Sequence, residues 1–164
     1  MPDYSATFLK AVNRVLADEG GYVLNSSDPG GETNWGISKR SYPALNIKTL
    51  SRDDAIAIYF RDWWQAQRYA ALTDMVGAKV FDISVLTGRK EAVVVFQRAL
   101  HACGKAVSED GNIGDETLAA ARAVNQDALL AAFKSEAAGF FRTLAARGSR
   151  DDEFLKGWVA RAYE

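Results

Sequence analysis

The sequence has one cysteine, Cys103, and one histidine, His101, among 164 residues. A single cysteine excludes an internal disulfide, so folding needs no oxidising compartment. One histidine with one cysteine cannot build a zinc site of the His/Cys type. They lie two residues apart on an expected helix and therefore point roughly 200° apart, which speaks against a Cys-His dyad. A half-buried histidine and a small core cysteine are the plainer expectation.

Charge of one sign is also lacking: 20 basic and 21 acidic residues are interspersed, for a net charge of -1. No electrostatic footprint for nucleic acid exists, and any polyanion must be recognised by specific contacts. The opening residues, MPDYSATFLKAVNRVLADEGG, have no basic segment followed by a long apolar one. Neither a Sec signal nor a transmembrane helix is expected. Low-complexity linkers, internal repeats and strong strand signals are missing too.

What the sequence does contain is enough apolar material, 48%, to fill a core, and 18 aromatic residues that could also stack on flat ligands. Helical periodicity runs through Phe8, Val12, Val15 and Leu16, with Asp3 as the expected cap and Gly20-Gly21 as the stop. A Gly-, Ser-, Asn- and Asp-rich stretch follows, its apolar pieces at Tyr22 to Leu24 and Trp35 to Ile37 suiting a small hairpin. Ser51 and Asp54 form a capping box ahead of the face Ile56, Tyr59, Phe60 and Trp63. Further helices are expected over about 73–86, 90–103, 126–147 and 151–163, with a short one capped near Asp115. The fold class expected is α-rich, with one β excursion after the first helix and a soft boundary near 87–91.

Two acids, Asp18 and Glu19, close the first helix, where the macrodipole disfavours negative charge. The segment Glu109 to Asp115 holds carboxylates and glycines, yet its spacing does not fit a twelve-residue calcium loop and reads as a turn plus helix cap. Glycines 20, 21, 30, 31 and 36 lack the Gly-Lys-Ser/Thr ending of a phosphate cradle. There remain Glu19 and Asp28, with Thr33 and Asn34 close behind. Glycoside hydrolysis requires a carboxylic acid to protonate the leaving oxygen and a second polar group to place water. A carboxyl at a helix C-terminus, beside another acid and near apolar rings, should have its pKa raised, as a general acid requires. A tolerated pair of solvated surface acids is the other reading of the same residues.

The series Glu19-Gly20-Gly21-Tyr22, Asp28-Pro29-Gly30-Gly31, Thr33-Asn34 and Gly36-Ile37 resembles the signature of glycoside hydrolase family 108, lysozyme-like N-acetylmuramidases of phage lysis proteins and bacterial secretion activators. The likeness continues in Ile58-Tyr59, Trp63-Trp64, Phe81-Asp82, Gly88 and Gln97. It reaches the family's C-terminal peptidoglycan-binding region through Asp110-Gly111-Asn112-Ile113-Gly114, Thr117-Leu118, Gly157-Trp158 and Arg161. The resemblance implies a lysozyme-like fold, a catalytic region over 1–88 and a helical peptidoglycan-binding region over 89–164.

It also implies that Glu19 is the catalytic acid and that Asp28 and Thr33, in an order similar to that of phage-type lysozymes, position water. Asp28 reads equally as a turn-former before Pro29-Gly30, and Thr33 as a strand residue bonded to nearby backbone. Candidate substrate-binding residues are Tyr22, Asn34, Trp35, Tyr59, Trp64 and Asp82. Of the Trp pair, Trp63 fits the inward stripe, and Trp64, 100° round the helix, is the expected surface residue. Asp82 either lines the cleft or holds a loop. Two positions depart from the family pattern: Leu24-Asn25-Ser26, where an Asn-Asp-Pro run is common, and Leu86, where an Asn is usual.

The expected activity is therefore cleavage of the β-1,4 bond between N-acetylmuramic acid and N-acetylglucosamine, without metal or organic cofactor. Alternatives are a non-catalytic peptidoglycan-binding or secretion-accessory protein on the same fold, and a lytic transglycosylase. The expected partner is the peptidoglycan glycan strand, with no nucleic acid and no membrane insertion, and the expected state is a monomer. Synthesis in the cytoplasm and action in the periplasm or cell wall, after release or export by another factor, complete the expectation.

Overall fold

The computed structural model describes residues 3–24, 31–147 and 152–164. These residues form seven α-helices and one three-stranded sheet, the α-rich arrangement with a small β excursion that the sequence pattern predicts. The chain divides into two compact units, Met1–Ala66 and Gln67–Glu164.

In the first unit, α1 (Ala6–Glu19) is capped by Ser5, whose Oγ accepts from the Phe8 N–H at 3.2 Å. Asp3 therefore does not cap it; Ser5 lies directly before the first helical residue, where a short hydroxyl can reach an orphan N–H. Phe8, Ala11, Val12, Val15 and Leu16 form its buried face. Gly20, at φ 71°, ends the helix immediately after Glu19. Strands β1 (Val23–Leu24), β2 (Glu32–Asn34) and β3 (Ile37–Ser38) follow as an antiparallel meander. Its register pairs Val23 with Thr33, Leu24 with Glu32, Thr33 with Ser38 and Asn34 with Ile37.

Helix α2 (Arg52–Tyr59) begins at the expected capping box: Ser51 Oγ accepts from Asp54 N, and the Asp54 carboxylate accepts from Ser51 N, both at 3.1 Å. The Ser51 hydroxyl donating to Asp54 Oδ2 at 2.6 Å, and then Ser51 N, hold the Asp54 carboxyl below its ordinary pKa. The helix then widens into a π-helical stretch, Phe60–Gln65. In that stretch the repeat is i→i+5 rather than i→i+4, so the face set by the preceding helical periodicity shifts round. Trp64 is accordingly 3% exposed, its ring 5.4 Å from that of Phe8, whereas Trp63 is half-buried beside Tyr42 and Tyr59. Trp64, expected at the surface, is thus the more buried of the pair, because the periodicity changes in the middle of the helix.

In the second unit, α3 (Asp74–Thr87) and α4 (Arg89–Ala102) meet at Gly88, whose φ of 90° suits glycine. Helices α5 (Asp115–Arg122), α6 (Gln126–Ala145) and α7 (Asp152–Tyr163) complete it. Helix α4 packs against α3 and α6, and α6 against α7. Val80, Phe81, Val93, Phe96, Leu100 and Phe133 are fully buried between them. The Asp110-Gly111-Asn112 turn is held by Gln97, a residue with no exposed surface. Its Nε2 donates to Asp110 Oδ1 (2.8 Å) and the Asn112 carbonyl (3.0 Å), and its Oε1 accepts from Gly111 N. Among the described residues no helix is long and apolar enough to cross a membrane.

Candidate active site

Glu19 is the last residue of α1, half-buried, with no basic residue in that final turn. The turn joining β2 to β3 lies against it. Both central residues of that turn have positive φ, Trp35 at 54° and Gly36 at 76°, as a tight antiparallel hairpin requires. A Cβ at Gly36 would collide with the Tyr59 hydroxyl and stand 3.0 Å from Glu19 Cγ and 3.3 Å from Glu19 Cβ. The hairpin therefore reaches the carboxyl-bearing helix end through a position that has no side chain.

Thr33 sits in the middle of β2, half-buried, between Val23 and Ser38. Asp28 lies outside the described residues. Tyr22 is 38% exposed, and its hydroxyl donates to Glu32 Oε1 at 3.1 Å; desolvation, then the Glu32 carboxylate, raises its pKa. Neither Glu32 nor the contact of Gly36 with Glu19 was evident in the sequence. The sequence reading takes Trp35 to Ile37 as an apolar piece of a hairpin, whereas Trp35 and Gly36 form the turn between β2 and β3, and which side chain that turn meets is a tertiary fact. Val23 and Leu24 continue the exposed edge beside Tyr22.

Other expected substrate contacts are engaged with the protein itself. Asn34 is buried, and its Nδ2 donates to the carbonyls of Ile47 (3.0 Å) and Leu50 (3.2 Å), fastening the hairpin to the segment before α2. Trp35 is half-buried, with Nε1 donating to the same Leu50 carbonyl at 3.2 Å. Tyr59 has no exposed surface, and its hydroxyl donates to the Trp35 carbonyl at 3.1 Å. Trp64, at 3% exposure, offers no ring face on which a sugar could stack. These placements follow from buried amides and hydroxyls needing partners within the fold.

Asp82 belongs to the second unit. It is buried, with Oδ2 3.0 Å from Lys79 Nζ and Oδ1 3.0 Å from Arg161 Nε, and Lys79 Nζ also donates to the Arg161 carbonyl. This ion triad ties α3 to α7. Leu86, where the family pattern has an Asn, is half-buried in the last turn of α3.

A small β-hairpin turned onto a helix-terminal glutamate, in an otherwise helical chain, defines a lysozyme-like domain. Residues 12–88 match the model of Glycosyl hydrolase 108, and residues 91–163 match that of a "Predicted Peptidoglycan domain". The resemblance read from the sequence is borne out over residues 12–88, with the match to the peptidoglycan domain following it. It is similar to a solved structure described as "Structure of Brucella abortus SagA", with 28% identity and a TM-score of 0.73 over 96% of this chain and 97% of that one. No curated protein matches it.

Proposed function

We propose that this protein is a muramidase that cleaves the β-1,4 bond following N-acetylmuramic acid in peptidoglycan, with Glu19 as proton donor. The observation that carries the reading is the seat of Glu19, at the negative end of α1 and against the Trp35-Gly36 turn. A glutamate held at this seat can serve as the general acid that glycoside hydrolysis requires. The match of residues 12–88 supports glycoside hydrolysis as the reaction class, and the C-terminal match supports peptidoglycan as the partner.

In the reaction, the Glu19 proton passes to the bridging oxygen as the C1–O bond breaks, and a water oxygen adds to C1 of the muramic acid. Asp28, with Thr33, orients that water and accepts its proton. A second carboxyl standing about 6.5–9.5 Å from Glu19 gives inversion; a separation near about 5 Å gives retention. Tyr22 and the exposed edge at Val23 and Leu24 offer a rim for sugar rings. The C-terminal helices, from about Glu91 onward, hold the glycan strand, and the site of action is the cell wall.

A non-catalytic binding role on the same fold is the second reading, favoured by Leu86 and the departure at Leu24-Asn25-Ser26. Turbidity of outer-membrane-permeabilised cells separates the two. Wild-type protein is expected to clear them and Glu19→Gln to leave them turbid; equal clearing by both removes the role assigned to Glu19.

A further inference from the structure

Trp35 is one of two non-glycine residues with positive φ among those described. Such a conformation costs a large side chain roughly 1 kcal/mol or more and persists only where its surroundings impose it. Here they do so from three directions. The Leu50 carbonyl accepts from Trp35 Nε1, the Tyr59 hydroxyl donates to the Trp35 carbonyl, and the adjacent Asn34 is bonded to Ile47 and Leu50. The next residue is a glycine whose missing Cβ leaves room for both the Tyr59 hydroxyl and the stem of Glu19. A hairpin needing only to reverse direction requires neither a clamped tryptophan nor an approach to Glu19 this close.

We propose that the Trp35-Gly36 turn, braced by Tyr59, is a positioning device that fixes the direction of the Glu19 side chain for proton transfer. Gly36 and Tyr59 act through Glu19 and touch no substrate. The stem atoms Cβ and Cγ rest on the turn, which blocks rotamers that swing the carboxyl toward the hairpin. The turn in turn is held by the segment before α2 and by α2 itself. The inference rests on Glu19 being the proton donor.

The test measures kcat, KM and thermal midpoint on solubilised peptidoglycan glycan strands for wild type, Gly36→Ala, Tyr59→Phe, Gly36→Ala/Tyr59→Phe and Glu19→Gln. Gly36→Ala is expected to lower kcat by about 10- to 100-fold, as a small misplacement of a reacting group does, with KM within about twofold. Tyr59→Phe removes the brace and lowers kcat to a smaller extent. In the double variant the collision with the hydroxyl is relieved, so thermal midpoint recovers toward wild type. Its kcat stays low, because the new methyl still lies against Glu19.

Recovery of kcat in step with stability would mean that the turn is structural only, and so would an unchanged kcat in folded Gly36→Ala. Should Gly36→Ala not fold, the double variant and Tyr59→Phe still decide the matter: unchanged kcat in both overturns the inference. A Glu19→Gln protein as active as wild type instead removes the assignment of the acid, an outcome distinct from failure of the positioning device.

Discussion

Replacing Asp82 with alanine distinguishes an internal ion triad from a substrate contact. The Asp82 carboxylate lies 3.0 Å from both Lys79 Nζ and Arg161 Nε, and the three side chains are only 7%, 8% and 12% exposed in the order Asp82, Lys79, Arg161. Removing one member of a buried ion cluster costs about 3–5 kcal/mol, since the remaining charges stay out of water without the partner that offset their desolvation. Against a typical total of about 5–15 kcal/mol this is a large share. Exchanging all three together, as Lys79→Met, Asp82→Leu and Arg161→Met, removes the charges along with their desolvation and should come close to wild type. Guanidinium unfolding followed by tryptophan fluorescence measures each variant, with sacculus binding measured in parallel. A loss below about 1 kcal/mol for Asp82→Ala, or lost sacculus binding at unchanged stability, would refute the reasoning and return Asp82 to the substrate contacts.

Two further outcomes test other parts of the structure. Burial pushes the Tyr69 phenol up to about 12, with Ser84 and Arg89 acting in the opposite direction. Because this folded-state value exceeds the unfolded one of about 10, the stabilisation from the neutral phenol is complete below pH 10 and is lost as the pH rises through about 12. Tyrosinate absorbance should show Tyr69 ionising late and together with unfolding; titration of every tyrosine near pH 10 with the fold intact would contradict its burial. Trp64→Ala should cost about 3–5 kcal/mol by emptying the space against Phe8, and a variant of wild-type stability that binds glycan poorly would show instead that the ring serves the substrate.

Local signals in the sequence carried most of the secondary structure. The spacing of Phe8, Val12, Val15 and Leu16 marks the buried face of α1, and Ser51 with Asp54 marks the start of α2. Glu19 at a helix end, followed by a β excursion, was legible as well, because Gly20-Gly21 is a stop and the stretch after it is rich in turn residues; that Trp35 and Gly36 form the turn was not, since Trp35 to Ile37 reads as an apolar strand piece. The π-helical stretch was not: nothing in Phe-Arg-Asp-Trp-Trp-Gln announces a change of repeat, and Trp64 is buried there against expectation. Asn34 and Asp82 looked like site residues because they are polar within a family signature. Their partners, the carbonyls of Ile47 and Leu50 and the cations of Lys79 and Arg161, are supplied by tertiary packing. The approach of Gly36 to Glu19 is of the same kind, since it joins residues 17 apart across a hairpin and a helix end.

The central claim is that Glu19 drives hydrolysis of the muramic acid bond, and the products themselves test it most directly. Mass spectrometry of peptidoglycan digested by the wild-type protein should find chains ending in reducing N-acetylmuramic acid, with one water added per bond cut, and no such ends after incubation with Glu19→Gln. Anhydro-muramic ends would contradict hydrolysis and make the protein a lytic transglycosylase. Reducing muramic ends at wild-type yield from Glu19→Gln would contradict the assignment of Glu19 as the acid.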